Sequence, residues 1–543
     1  PNGGITTEST VTDTPTPYLD GGNYAVLNPL NKDSQPTISN GNLNVSMGVA
    51  AGGWRTVPST IAMPDGKWYA EVIFSAINGS ASARVGIAAT SNIFTGNVYP
   101  GLTSTSYSYG NDGPKYNNDG TASYGASWTT GDILGIAFDS STGTLTFYKN
   151  NVSQGVAYAS ISSADQYYII VGGANVTNTC AINFGQRPFA YTPPAGFKTL
   201  HTGNLPDAAI ENGSEYFAAT TYTGTGTTQS ISNDVNGVSF QPDFVWAKSR
   251  SNSLIHVLTN SVSGSTKALT SNGTDAEFTV DIAYASDGFT LTNDVNGSGI
   301  TYVGWQWKAG GAAVTNTSGS ITSQVSASPT AGFSIVTYTG TGANATVGHG
   351  LGAVPRFIIA KRRNAAVNWF VGSGAFPSWS YALEGLNTTF AANSGATSVW
   401  NATTPTSSVF SIGSDLGASG GTYVAYCFSE VPGYSSFGSY VGNGSSDGPF
   451  VYLGFRAKFV IIKGTLNAGD NWRVFDAARN PYNFCNLDLY PNLSNAEGTN
   501  TGGIDLVSNG FKVRNGGSDT NTSANTYIYM AFAENPFKNS LAR

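Results

Sequence analysis

Short apolar runs, broken by glycine and asparagine turns, fill the chain from about residue 24 onward. Runs such as residues 244–246 (FVW) and 459–462 (FVII) are too short for helices and rich in β-branched and aromatic types. Glycine, asparagine and serine clusters between such runs mark turns. The pattern predicts an all-β protein built from many short antiparallel strands.

One pattern of landmarks occurs three times in the C-terminal part of the chain. An opening tyrosine is followed by a lysine 26, 23 and 23 residues later, and each copy ends on an aromatic strand. The opening tyrosines are Tyr222, Tyr338 and Tyr440, the lysines are Lys248, Lys361 and Lys463, and the closing tyrosines are Tyr302, Tyr423 and Tyr527. The spacing predicts three tandem units, each a small antiparallel β-sandwich, rather than one active-site cleft.

The pattern divides the chain into seven predicted parts. They are an extended arm (1–23), a β-sandwich (24–200), a connector (201–215), repeat 1 (216–310), a Ser/Thr/Gly linker (311–330), repeat 2 (331–437) and repeat 3 (438–543).

Composition and charge exclude several classes of function. Only 10% of residues are charged and the net charge is −7, which argues against nucleic-acid binding by phosphate neutralisation. No apolar run approaches the length needed to cross a bilayer, so no membrane insertion is expected. Aromatic residues at 12% indicate a folded chain whose surface is wet but nearly uncharged.

The three cysteines fall in three different units, so no disulfide framework within a domain is expected. Cys180 and Cys427 lie inside apolar runs and are interpreted as core thiols. Stability must then come from packing and from covering the many strand edges. We therefore predict a symmetric homo-oligomer, specifically a homotrimer.

Residues 24–200 carry a recognisable series of segments. GKWYAEV begins at Gly66, VGIA follows it, and GDILGIAFDSSTGTLTFYKN leads to YYIIVG and INFGQRPF, which ends at Phe189. This order resembles the SPRY domain, a concanavalin-like β-sandwich. The resemblance implies an all-β fold of a SPRY-like sandwich followed by the three small sandwich repeats. It also implies that loops between the strands bind peptide or protein partners.

A SPRY-like domain followed by such repeats resembles the fibre and tail proteins of tailed bacteriophages. That resemblance implies a non-enzymatic virion appendage on the particle surface that contacts other virion proteins and binds a host cell-surface glycan or protein. Two alternatives stay open. One is a capsid decoration or capsid-fibre protein without a receptor role, and the other is a polysaccharide-degrading enzyme.

The segment between Tyr99 and Trp128 is the candidate recognition loop. Four tyrosines, Tyr107, Tyr109, Tyr116 and Tyr124, stand there among glycine, serine and asparagine. Tyrosines in such a matrix are typical of adaptable recognition loops. They are the predicted ligand-binding residues, and the alternative is that they fold back over the sandwich.

Candidate chemistry is sparse. His201, His256 and His349 share no motif spacing, no zinc pattern is present, and no metal or other cofactor is predicted. Calcium at the turns 111–120 or 293–299 stays an open possibility. Glu71 is the best single carboxylate for a glycosidase, but it lies in a structural strand. The repeated lysines are expected to cover the sandwich rim, and the closing-strand aromatics Trp305, Trp307, Tyr426 and Phe532 are expected in the core.

Overall fold

The computed structural model describes residues 23–48, 53–163, 165–174 and 178–533. The predicted arm, apart from residue 23, and the last ten residues of predicted repeat 3 lie outside the described residues. Nearly all regular structure in the described part is antiparallel β, so the predicted fold class is confirmed. No helix of the described residues is long and apolar enough to span a bilayer.

The N-terminal domain is a sandwich of two sheets. One sheet has the order β1-β2-β13-β4-β9-β10-β11, with β14 pairing β4, and the other has the order β3-β12-β5-β6-β7-β8. Trp68, Phe138 and Ile169 pack between them. The strands are β1 (Thr37–Ser39), β2 (Asn44–Ser46), β3 (Trp54–Pro58), β4 (Lys67–Ala76), β5 (Ala83–Ala89), β6 (Ser106–Gly110), β7 (Lys115–Asn117), β8 (Gly120–Ala122), β9 (Ile133–Asp139), β10 (Thr144–Lys149), β11 (Val152–Tyr158), β12 (Tyr167–Ala174), β13 (Thr179–Asn183) and β14 (Lys198–Thr199).

Module 1, residues 216–310, follows two 3₁₀ turns, Thr202–Asn204 and Gly213–Glu215. Its main sheet has the order β15-β23-β17-β18-β19-β20, and its small sheet has the order β16-β22-β21. The strands are β15 (Phe217–Thr223), β16 (Gln229–Ser232), β17 (Phe244–Ser249), β18 (Val257–Asn260), β19 (Gly264–Leu269), β20 (Phe278–Thr279), β21 (Ile282–Ala285), β22 (Gly288–Leu291) and β23 (Thr301–Trp307).

Module 2 comprises residues 311–437. Its sheets have the orders β24-β25-β26-β31-β28-β29 and β27-β30. The strands are β24 (Val314–Asn316), β25 (Ser323–Ser328), β26 (Phe333–Thr339), β27 (Ala345–Gly348), β28 (Phe357–Arg362), β29 (Phe370–Ser373), β30 (Val409–Ile412) and β31 (Thr422–Phe428), with helices α1 (Thr397–Trp400) and α2 (Ser414–Gly417). Residues 311–330 are expected from the sequence to form a linker. The structure differs, because this segment contributes β24 and β25, two strands that extend the main sheet of module 2.

Module 3 comprises residues 438–533. Its first strand, β32, begins three residues earlier, at Ser435, within the last residues counted to module 2. Its sheets have the orders β32-β39-β34-β35 and β33-β38-β37-β36. The strands are β32 (Ser435–Val441), β33 (Phe450–Tyr452), β34 (Ala457–Gly464), β35 (Arg473–Asp476), β36 (Cys485–Asp488), β37 (Gly498–Val507), β38 (Gly510–Val513) and β39 (Thr526–Ala533), with helix α3 (Ser518–Asn521).

The three main sheets share a central strand order, β15-β23-β17-β18, β26-β31-β28-β29 and β32-β39-β34-β35. In each, the opening and closing tyrosines are directly paired and stacked with ring centroids 5.2 Å apart. The opening tyrosine hydroxyl donates to a backbone carbonyl in each case, those of Val295, Leu416 and Thr520. The landmarks of the sequence thus occupy corresponding register positions.

The modules contact one another in a closed order, first to second, second to third and third to first. Three backbone hydrogen bonds cross the boundaries at corresponding places. They are Glu277 N–H to Arg363 O (2.7 Å), Ala392 N–H to Thr465 O (2.8 Å) and Glu497 N–H to Arg250 O (2.6 Å). Each acceptor lies two residues after the repeated lysine. The main sheets therefore form a three-sided ring inside a single chain.

Aromatic side chains fill the centre of this ring. The ring centroids of Phe428 and Phe532 are 5.9 Å apart, those of Trp307 and Phe532 are 5.8 Å apart, and those of Phe244 and Tyr426 are 4.4 Å apart. One hydrophobic cluster includes residues of all three modules. The expectation that the closing-strand aromatics belong to the core is confirmed, since Trp305, Trp307, Tyr426 and Phe532 are at most 1% exposed.

The sandwich packs on module 3. Tyr168 of β12 meets Tyr452 of β33 edge to face with ring centroids 5.5 Å apart. The Asn509 amide donates to Thr60 O (2.7 Å), and the Lys512 amine donates to Leu30 O (2.8 Å). These contacts place one face of the sandwich beside β33 and β38, in the small sheet of module 3.

Candidate ligand-binding cleft

The predicted recognition loop forms part of the sandwich. Strands β6, β7 and β8 extend the second sheet to its edge and contain Tyr107, Tyr109 and Tyr116. Tyr109 is fully buried, packs against Trp128 and Phe147, and donates its hydroxyl proton to Ala126 O. Its ring is part of the sandwich core and offers no face to a ligand.

The other three tyrosines are partly buried, and one of them, Tyr124, packs edge to face on Tyr109 with ring centroids 5.2 Å apart. Tyr107 lies edge to face with Tyr158 (5.0 Å between centroids), and the Tyr124 hydroxyl donates to Gly155 O (2.6 Å). The Tyr116 ring lies 3.5 Å from the Arg84 guanidinium, and its hydroxyl donates to Asp112 (2.5 Å). The structure therefore does not bring the four predicted residues into one shared exposed patch.

Glu71 serves a structural contact. Its carboxylate accepts hydrogen bonds from Ala190 N–H (2.8 Å), Tyr191 N–H (3.0 Å) and the Tyr69 hydroxyl (3.2 Å). The residue is 5% exposed. These donors tie the segment after β13 onto the outside of β4, and they occupy the oxygens that a glycosidase would need for its reaction.

The expectation that the repeated lysines cover the sandwich rim is wrong. Lys248, Lys361 and Lys463 are fully buried. Their amines donate to backbone carbonyls, those of Ser249 (2.7 Å), Thr274 (2.8 Å) and Gly464 (2.8 Å). Burial lowers the pKa of each amine to about 8. Each lysine lies one residue before the end of its strand, and pairing with a carbonyl satisfies its buried amine.

His256 joins two modules rather than forming a catalytic or metal site. Its Nδ1 accepts from Trp246 Nε1 (2.8 Å), so Nε2 carries the proton and donates to Tyr490 O (3.0 Å) in module 3. At the corresponding places Trp369 donates to Thr270 O (2.8 Å) and Trp472 donates to Gly385 O (3.1 Å). Burial lowers the pKa of His256 to about 3, so the ring is neutral.

The Asn-rich turns are bonded to neighbouring segments of the chain. The Asn293 amide donates to Asp281 (2.8 Å), and the Asn111 side chain accepts from Ser82 N–H (2.9 Å). Across the ranges that the structure describes, no group of three or more His, Cys, Asp and Glu side chains is arranged to hold a metal ion. Calcium at these turns stays a prediction. Cys180, Cys427 and Cys485 are buried free thiols, which confirms the interpretation of the first two as core residues.

An open cleft lies where the sandwich meets module 3. It is a cleft of about 890 Å³, with the turn at residues 90–95 and the connector at residues 205–209 on one side. The other side consists of β32, β33 and the turn between them. Ligand sites occur preferentially in such clefts at domain interfaces.

The walls of the cleft combine apolar and polar groups. Phe94 and Tyr452 contribute apolar surface, and Ser91 and Ser439 contribute exposed hydroxyls. Glu430 is accessible to solvent, and its carboxylate accepts from the Ser436 side chain and from Phe437 N–H. Desolvation raises the pKa of Glu430, and Arg356 and these hydrogen bonds partly oppose the rise.

Sequence reasoning missed this cleft. Its walls come from segments about 350 residues apart in the chain, such as Thr90–Thr95 and Phe437–Val441. None of those segments carries a recognisable motif. The short interval between β31 and β32 signals only that modules 2 and 3 are close together, not that the sandwich lies beside module 3.

Residues 67–187 match the model of the SPRY domain, and the chain therefore contains this domain. The E3 ubiquitin-protein ligase RKP of Arabidopsis thaliana is 33% identical over 139 residues, which is 25% of this chain and 10% of that protein. The Ran-binding proteins 9/10 homolog of Drosophila melanogaster is 32% identical over 128 residues, 23% of this chain and 13% of that protein. The chain thus spans only a small part of these relatives.

Among solved structures, the SPRY domain of human HERC1 is similar, with 20% identity and a TM-score of 0.26, over 29% of this chain and 96% of that chain. The TRIM65 PSpry domain gives 17% identity and a TM-score of 0.25, over 30% and 89%.

A second family model matches residues 212–536, which include the three modules almost completely. This match covers more than half of the chain. The protein therefore belongs to the family described as Domain of unknown function (DUF7483).

Proposed function

We propose that this protein is a non-enzymatic binding protein whose ligand site is the cleft between the SPRY domain and module 3. The observation that carries the proposal is the cleft itself, about 890 Å³ with mixed apolar and hydroxyl walls at a domain interface. The recognition loop predicted from the sequence, between Tyr99 and Trp128, is a weaker candidate site, because Tyr109 is in the core and Tyr107 and Tyr116 pack against different partners.

Binding in this cleft would involve no catalytic step and no cofactor. Glu71, the carboxylate weighed for glycoside hydrolysis, is bonded to backbone amides on the sandwich. Glu430 in the cleft is bonded to the edge of β32 and lies beside Arg356. A polysaccharide-degrading enzyme is therefore the less favoured alternative.

We further propose that modules 1, 2 and 3 are tandem repeats of one unit and that the chain is a fibre or tail appendage of a bacteriophage particle. The common strand order and the matched tyrosine pairs support the repeat. The resemblance of the SPRY-plus-repeat sequence supports the virion setting, whereas the eukaryotic relatives reported above give it no support. A capsid decoration protein without a receptor role is the alternative.

In that setting the partners would be other virion proteins, a host cell-surface glycan or protein, and two further copies of the chain. The homotrimer stays a prediction. One reason for predicting it is the need to cover strand edges. That need is partly met inside the chain, because the three main sheets already pack against each other.

The test of the cleft uses mixed glycan and peptide arrays. Ser91→Trp places a large ring in the cleft from the turn at residues 90–95, and Ser153→Trp adds the same ring on exposed strand β11 of the same domain. We expect the arrays to show a ligand class that binds the wild type and Ser153→Trp but does not bind Ser91→Trp. If all three chains bind the array ligands equally, the proposal is contradicted. If binding is instead lost only in a fourth variant, Tyr116→Ala, the site lies on strands β6, β7 and β8.

A further inference from the structure

The first strands of modules 2 and 3 differ in what lies beside them. In module 2, β26 pairs with β31 on one side and with β25 on the other, in antiparallel register from Ser323↔Tyr338 to Ser328↔Phe333. The chain itself thus supplies an extra strand along this edge. Val325 of that strand is buried in the core of module 2.

The same segment also reaches the small sheet of module 2. Ile321 N–H donates to Thr346 O (3.1 Å) and bridges Val347 of β27, and the Ser323 hydroxyl donates to Gly348 O (2.9 Å). Residues 319–328 therefore fill the groove between the first strand and the small sheet. The groove of module 2 shows which kind of occupant this part of the fold accepts: an extended strand.

In module 3 the corresponding strand faces the cleft instead. Strand β32 is the outer strand of its sheet, with β39 on its inner side, and residues 435–442 line the opening. Strand β33, the outer strand of the small sheet, lines it as well. The two walls that hold the extra strand in module 2 are thus both present, and the SPRY domain forms a third wall.

The hydrogen-bonding direction of β32 follows from its pairing. Ala533 N–H donates to Tyr434 O, and Gly442 N–H donates to Asn525 O, so the even-numbered residues bond toward β39. Alternate residues of a strand direct their backbone groups to opposite sides. Ser435, Phe437, Ser439 and Val441 therefore direct theirs away from β39, as the odd-numbered residues of β26 do toward β25. The Ser435 N–H is already bonded to Val431 O (2.9 Å), and the next three positions face the cleft.

Glu430 protects the outer edge of β32 from pairing with unrelated strands. Its carboxylate accepts from Phe437 N–H, one of the outward donors. A charged group on an outer strand is a common way to block aggregation at an edge. The same contact occupies a donor that an added strand would need, so binding would require the Glu430 side chain to move aside.

Resting on the proposed function of the cleft, we propose that its ligand is an extended segment of a partner protein that adds to β32 as an antiparallel strand. Main-chain hydrogen bonds supply affinity in this mode, and alternate side chains supply specificity. By analogy with residues 319–328, the segment carries serine or threonine hydroxyls and a small branched apolar residue, with little charge.

The probe is a fluorescein-labelled peptide with the sequence of residues 319–329, GSITSQVSASP. Ser439→Pro removes an outward N–H of β32 while leaving the pairing with β39, since proline is tolerated on outer strands. Thr221→Pro is the matched control, because Thr221 occupies the corresponding place before Tyr222 in β15, which is also an outer strand. The control peptide carries proline in place of Ser326, a residue that pairs with β26.

We expect fluorescence anisotropy to show saturable binding to the wild type and to Thr221→Pro. Binding should be at least tenfold weaker for Ser439→Pro and for the control peptide. If the melting temperature shows that Ser439→Pro is unfolded, Val441→Pro, which removes the next outward N–H, replaces it. Equal binding by the wild type and the folded proline variant would overturn strand addition, as would a wild type that binds no peptide.

These outcomes separate the two proposals. If no peptide binds but Ser91→Trp still abolishes capture of an array ligand, the cleft remains a binding site and strand addition is wrong. If neither the Ser91→Trp nor the Ser439→Pro variant changes any binding, both proposals fall.

Discussion

At the residue scale, several buried polar side chains of this protein join one module to the next. Lys361 donates to Thr274 O across the boundary between modules 1 and 2, and Trp472 donates to Gly385 O across the next boundary. His256 does the same between modules 1 and 3. A chain with only 10% charged residues thus places several of its donors where buried backbone carbonyls would otherwise lack a partner.

The His256 joint predicts a dependence of stability on pH. The native pKa of about 3 lies below the ordinary 6.5, so the contribution is complete above pH 6.5 and is lost as the pH falls toward 3. The loss should approach about 1.4 kcal/mol per pH unit in that window. The free energy of unfolding measured in urea should fall more steeply between pH 7 and pH 4 for the wild type than for His256→Gln, because the glutamine amide does not titrate.

Carboxylates elsewhere also titrate in this window, and the difference between the two chains isolates the histidine. Parallel curves for the wild type and His256→Gln would contradict the prediction. The charge of Lys248 further disfavours the protonated ring of His256.

At the scale of elements, the boundaries between modules are not equally polar. Arg479, after β35, is buried against Asp476 (2.6 Å) and also bonds Glu497 (3.0 Å). Asp476 accepts from Trp305 Nε1 (3.0 Å), and Glu497 also pairs with Arg250, so this network ties module 3 to module 1. Between modules 2 and 1, Arg363 pairs with Glu277 (2.6 Å) nearer the surface, with side chains 20% and 16% exposed.

This difference predicts unequal costs for matched substitutions. Arg479→Ala removes the buried cation that pairs with both Asp476 and Glu497 and should lower the free energy of unfolding by about 3–5 kcal/mol. Arg363→Ala breaks a more exposed pair and should cost about 1 kcal/mol. Urea unfolding of the two variants measures both values, and similar losses would show that the buried network has no special role.

At the scale of the whole molecule, the sandwich and the ring differ in how their cores are built. The main core of the SPRY domain is made entirely of residues before 210. The central core of the ring draws Trp307, Phe428 and Phe532 from three modules. A single module removed from the ring would expose the inner face of its main sheet.

We therefore expect residues 23–209 to fold alone and residues 311–437 not to do so. Circular dichroism with thermal unfolding should show a cooperative transition for the first fragment and none for the second. The intact ring should unfold as one unit, because each main sheet is covered by the other two. A cooperative transition in isolated 311–437 would show that the inner face is not essential for folding.

The sequence determined the strands, the turns and the positions of the repeated landmarks, because these depend on local alternation and on turn residues. The stacked tyrosine pairs and the core aromatics follow from that pattern. It also identified the SPRY segments, because they are recognised by their order along the chain.

The tertiary structure decided how those elements meet. The aromatic composition of residues 99–128 is the same whether Tyr109 faces solvent or the core, and only the second sheet of the sandwich shows that it is buried. The rim or core position of the lysines depended on the neighbouring module. Closure of the ring and the cleft beside β32 join segments that are hundreds of residues apart. Such contacts are set by which faces pack together, a property that local patterning does not encode.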